Sequence, residues 1–185
     1  VELAACPWYE GRKLVRIGVR AGLPAEDVKI QVEFNPARVK GYRLIGYESG
    51  KLRSREFSDD AARGGALEAG QSVTALYEII PHGMDMPGAP VDPLRYQKTT
   101  RPRRDAESSE LLTVKVRAKL SGGVQSRLLV NTLLDGDRPW RRASPSFRTA
   151  AAAAGFGMLL RRSEYRGTAT YRSLRDLAGP DGELL

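Results

Sequence analysis

A chain of 185 residues, 41% hydrophobic and 28% charged, is long enough to bury its own core without a disulfide framework. Cys6 has no second cysteine to pair with and His82 is the only histidine, which argues against cysteine-based metal sites, Ser-His-Asp catalysis and multi-histidine metal centres. The formal charge of +8 raises the question of an anionic partner, but the basic residues are spread along the chain and many alternate with apolar ones.

The first element is a strand over Lys13–Arg20, where Val15, Ile17 and Val19 share one side. A second covers Asp27–Asn35, with Val28, Ile30, Val32 and Phe34 facing a core and Lys29, Gln31 and Glu33 facing water. Tyr42–Tyr47 is a third β-prone stretch. Leu52–Gly70 is polar and glycine-rich and reads as a loop, and Gln71–Ile80 returns to alternation through Val73, Ala75, Tyr77 and Ile79. His82–Ser109 is rich in proline and carries the basic cluster Arg101-Pro102-Arg103-Arg104, so it is expected to be a long, mobile loop.

Strict alternation resumes at Leu112–Leu120, and Lys115, Arg117 and Lys119 form its wet face. Ser121-Gly122-Gly123 supplies the turn into another strand, Ser126–Leu134, as a hairpin. After Trp140 the period becomes helical. Ser144 can cap, Pro145 suits the first turn, and Phe147, Ala150 or Ala151, Ala154 and Met158 recur at helical spacing up to Arg161-Arg162. Gly155 and Gly157 weaken that helix and are expected to permit close packing on the sheet. Thr170 opens a shorter helix with Tyr171, Leu174 and Leu177 on one face, ended by Gly179-Pro180. The expected fold is mainly β with C-terminal α: an antiparallel β-sandwich-like domain over 1–142 and a helical segment over 143–185 covering an edge or face.

The candidate chemical groups have ordinary structural readings. Asp59-Asp60 falls in a polar loop, and Asp135-Gly136-Asp137 is turn chemistry at a strand end. Ala154-Gly155-Phe156-Gly157 lacks the Lys-Ser/Thr tail of a phosphate loop and lies inside a helical pattern. Cys6 is expected as a buried small hydrophobe and His82 as a surface loop residue. The 95–104 loop is the one local argument for polyanion or nucleic-acid contact, through Arg101, Arg103 and Arg104 beside Tyr96 and Gln97, although a solvated loop is the favoured reading. No catalytic set, cofactor site or metal site follows. The longest apolar run, Thr149–Leu160, is too short to span a bilayer.

Four separated segments resemble, in order, the C-terminal region of the bacterial YfbK-like family of von Willebrand factor A (VWA) domain proteins. They are Asp27–Pro36, Tyr42–Glu48, Ala69–Ile79, and the helix Phe147–Leu160 with Tyr165 after it. Cys6-Pro7-Trp8 and Leu14–Gly18 resemble the segment that precedes the VWA module in that family. The resemblance implies a module of roughly 200 residues, with a metal-ligating DxSxS sequence, inserted near 21–26. Here only Ala21–Ala25 joins the two flanks and DxSxS is absent, so the divalent metal is expected only in that missing module. Two explanations stay open: a module cut out with its ends rejoined, which is favoured, or a natural variant that lost it. An inserted module has entry and exit points close in space, so Leu14–Arg20 and Val28–Phe34 are expected to be near each other and to pair in one sheet.

On this basis the chain is expected to be a non-catalytic scaffold that supports and orients a VWA module for protein–protein or adhesive binding, an arrangement similar to the integrin hybrid domain. Its expected partners are its own module and a further protein. The family resemblance implies a cell-envelope or exported setting. The rival expectation is a basic module that binds polyanions or nucleic acid through residues 95–104.

Overall fold

Two four-stranded antiparallel sheets lie face to face, and a pair of helices forms a third layer on the outside of one of them. The structure, a computed structural model, describes residues 1–46, 64–85, 104–123 and 125–179. In chain order the strands are β1 (Glu2–Ala5), β2 (Lys13–Arg20), β3 (Ala25–Phe34), β4 (Val39–Ile45), β5 (Gly65–Leu67), β6 (Ser72–Pro81), β7 (Glu110–Leu120) and β8 (Ser126–Leu134). Among the described residues the α-helices are α1 (Pro145–Leu160) and α2 (Tyr171–Ala178). One sheet has the order β1-β2-β6-β4 and the other β5-β3-β7-β8. The expected antiparallel sandwich with C-terminal helices is therefore the fold observed.

The alternating residues do what their period dictates. Val15 and Ile17 of β2 and Ile79 of β6 point into the space between the sheets, where Leu112 and Val114 of β7 meet them. Ile30, Val32 and Phe34 of β3 pack against the same cluster. The hairpin from β7 to β8 turns at Gly122, whose φ of +76° places it in the left-handed region that the Gly-Gly turn was chosen to fill.

The first sheet is buried on both faces. Its second face carries Ala4, Leu14, Leu76 and Ile45, which form a core with Phe147, Ala151 and Met158 of α1 and Leu174 and Leu177 of α2. The helix starts lie where the capping residues predict. Ser144 accepts from the Phe147 amide with Pro145 in the first turn, and Thr170 and Ser173 form a reciprocal cap on α2. Glu2 of β1 ties this layer down, accepting from the Ser144 amide at 2.8 Å and from its hydroxyl at 2.5 Å.

Several expectations are corrected. β2 and β3 do not pair, because β2 pairs with β1 and β6 while β3 lies in the opposite sheet. They are near each other across the core, as the shared cluster of Val15, Ile17, Ile30 and Val32 requires. The nearest neighbour of Gly155 is α2 and not the sheet. A Cβ there would lie 2.4 Å from Leu174 Cδ2, so it permits the approach of α2 on α1, whereas Gly157 faces open space. Gly65–Leu67 forms a short edge strand inside a stretch read as loop, and Glu2–Ala5 forms a strand too short to show a period. Lys29, expected to face water, is buried. It follows a bulge at Asp27–Val28, with Asp27 at φ +51°, where regular alternation is interrupted.

Candidate functional site: the joint at the end of the sandwich

Between β2 and β3 the chain crosses from one sheet to the other in four residues, Ala21–Pro24. Ala21 is buried, whereas Gly22, Leu23 and Pro24 are exposed, Leu23 to 62%. Both ends of this crossing are held. The Ala21 amide donates to the Gln71 carbonyl at 3.0 Å, and the Ala21 carbonyl accepts from the Gly70 amide at 2.7 Å. On the other side the Pro24 carbonyl accepts from the Ser121 amide at 3.0 Å, and Ala25 pairs with Leu120 and Leu67. Gly22 and Leu23 thus bridge two fixed points, Ala21 and Pro24, at one end of the sandwich. Their outward placement leaves room for inserted chain, since the hydrogen bonds that fix the ends do not involve Gly22 or Leu23.

The titratable groups singled out in the sequence have structural partners. The Asp135 and Asp137 carboxylates accept from Lys13 Nζ at 2.6 and 2.9 Å, and Arg38 lies 3.6 Å from Asp135. Burial works against the charge on Lys13, but the two carboxylates outweigh it and hold its pKa above the usual lysine value. Cys6 is buried, and desolvation pushes its thiol up to about 12. His82 is exposed, with Nε2 donating to the Pro36 carbonyl at 2.9 Å. Ala154–Gly157 lies within α1, not in a phosphate loop. Arg104 opens an exposed 3₁₀ turn, Arg104–Glu107. Arg101 and Arg103, like Tyr96, Gln97 and Asp59-Asp60, lie outside the described residues.

A buried charge cluster escaped the sequence reading. Glu78 of β6, 2% exposed, accepts from Trp8 Nε1 at 3.1 Å and pairs with Arg12 at 2.5 Å and Arg43 at 2.7 Å. Arg12 stacks over Tyr9 and Arg43 over Tyr165, so one carboxylate joins the β1–β2 connection, β4, β6 and the segment after α1. It lies on the β6 face opposite Tyr77 and Ile79, a position that alternation alone assigns to solvent.

A family profile described as "Uncharacterized protein YfbK, C-terminal" matches residues 23–182. The chain belongs to the YfbK C-terminal family. It is 36% identical over 155 residues to the "Uncharacterized protein YfbK" of Escherichia coli (strain K12). That alignment takes in 83% of this chain but 26% of the relative, so the chain spans about a quarter of the YfbK protein it matches. No solved structure matches. The YfbK profile begins at Leu23, inside the exposed crossing, and leaves β1 and β2 outside it although their side chains complete the core.

Proposed function

We propose that this body is a non-catalytic scaffold that carries a VWA module at the β2–β3 crossing and orients it for protein–protein or adhesive binding. The observation that carries the reading is the coincidence of two boundaries at one place. The exposed crossing at Gly22–Pro24 is where the family profile begins, while the strands on either side of it share one core. Two fixed ends in opposite sheets would hold an inserted module by two strands, and a module so held has a defined orientation. The cysteine and the buried carboxylate are engaged in packing and ion pairing, which fits a supporting role. The divalent metal of such a protein would belong to the module.

The test is to insert a folded VWA domain between Gly22 and Leu23 and, as a control, between β2 residues Ile17 and Gly18. Loop-closure entropy grows slowly with length, so the first insertion should lower host stability by no more than about 2–3 kcal/mol. The module should bind its metal, and partner binding should be lost when the module alone is removed. Unfolding of the host by the Gly22–Leu23 insertion to the same degree as by the β2 insertion would reject the reading.

A further inference from the structure

The positive charge of this protein is concentrated where the sequence pattern concealed it. Residues 138–179 hold nine arginines, no lysine and two carboxylates, a net charge of +7 out of +8 for the whole chain. Basic residues elsewhere are nearly cancelled by acidic ones, whereas this segment is depleted of carboxylates. The segment is the helical layer. Arg141, Arg142, Arg161, Arg162, Arg172 and Arg175 are all exposed on it. Among the described residues the one ion pair made by its arginines joins Arg138 to Glu2 at 3.4 Å.

The solvent side of α1 is unusual in the opposite sense. A helix packed on one face ordinarily presents charged residues on the other. From Pro145 to Leu160 the only charged residue of α1 is Arg148, and its outer face exposes Thr149, Ala153 and Leu160, the leucine to 61%. Phe156 lies on the same side and meets the exposed Tyr171 of α2 edge to face at 5.9 Å between ring centroids. Beside this face an open, mainly apolar groove of about 310 Å³ runs between α1 and the end of β4, lined by Ile45, Ala153, Ala154, Gly157, Leu160 and Arg161. The helix is thus apolar on both sides, and arginines bracket it at both ends.

We propose that the outer face of the helical layer docks on an anionic phospholipid surface, with α1 lying in the plane of the interface. Exposed leucine and aromatic side chains enter the acyl boundary while guanidinium groups reach lipid phosphates, which they bind bidentately. Charge complementarity selects anionic lipid. Nucleic-acid phosphate would satisfy the arginines and stack on Tyr171, but it has no use for Leu160, Ala153 and the apolar groove, and this favours the bilayer. No helix among the described residues is long and apolar enough to cross a membrane, so the contact is peripheral. The site is independent of the β2–β3 crossing, and the scaffold reading neither requires nor forbids it.

Sedimentation of the full chain with vesicles tests this. Vesicles of phosphatidylcholine with one third phosphatidylglycerol should carry the protein down at low salt, and pure phosphatidylcholine vesicles should not. Each of Arg161→Gln, Arg162→Gln, Arg172→Gln and Arg175→Gln should weaken partitioning about fivefold. Ala153→Glu and Leu160→Glu, both at exposed positions that leave the core intact, should weaken it by at least as much. The proposal is overturned by three results: absence of binding to the anionic vesicles, binding that the two glutamate variants leave unchanged, or displacement from vesicles by a single-stranded oligonucleotide at equal phosphate concentration.

Discussion

Glu78 shows how a single side chain can organise two layers. Its carboxylate is nearly inaccessible and is met by Trp8, Arg12 and Arg43, so the cost of removing it from water is offset by three donors. Replacing it with glutamine retains the shape but leaves two guanidinium groups, at 10% and 25% side-chain exposure, without their counter-charge. Removing one partner of such a cluster costs about 3 kcal/mol, and Glu78→Gln should therefore lower Tm by roughly 6–12 °C. Thermal unfolding followed by circular dichroism checks this, and a shift below about 2 °C would mean that the cluster is solvated in solution. Nothing local in the sequence marks this residue. Glu78 occupies an alternating polar position of β6, and only knowing that the sheet is covered on its second face turns that position into a buried one.

Gly155 and Gly157 separate the effects of packing and propensity within one helix. Glycine costs α1 about 1 kcal/mol at each position relative to alanine. At Gly157 a methyl group meets nothing, so Gly157→Ala should stabilise the protein by about that amount. At Gly155 the same methyl would press on Leu174, which is 4% exposed and holds α2 in place, so the overpacking should outweigh the propensity gain and leave Gly155→Ala destabilised by about 1 kcal/mol. Denaturant midpoints of the two variants should move in opposite directions. The sequence made α1 legible to the residue, since Ser144, Pro145 and the spacing from Phe147 to Met158 mark its start and its buried face. The partner of its glycines was not legible. Spacing shows that a face is close-packed, but whether a sheet or a second helix approaches it depends on the return of α2.

At the scale of the whole molecule, β1 and β2 lie outside the family match yet supply half the strands of one sheet. The periodicity of β2 announced a strand, and the sandwich followed from six such strands with turn residues between them. Which sheet each strand joins was not legible, because alternation defines an inward face and carries no partner, and the expected pairing of β2 with β3 failed for that reason. The arrangement has a consequence for the two sides of the Gly22–Leu23 joint. Val15 and Ile17, at 0% and 1% exposure, sit between the sheets, and Leu14 and Trp8, at 0% and 1%, sit under the helices, so residues 1–22 contribute to both cores. A chain of residues 23–185 alone loses the contacts of all four, each worth about 1.5–3 kcal/mol of burial, which is enough to exhaust the stability of an ordinary domain of this size. It should therefore be largely unfolded when made alone. Mixing it with a peptide of residues 1–22 should restore β-sheet circular dichroism and a cooperative transition whose midpoint rises with peptide concentration. Such reconstitution is what continuity across an inserted module demands, since in that arrangement the two pieces meet as distant segments of one chain. A cooperative fold of 23–185 that is indifferent to the peptide would show that the opening strands are an appendage, and the scaffold reading would lose its structural basis.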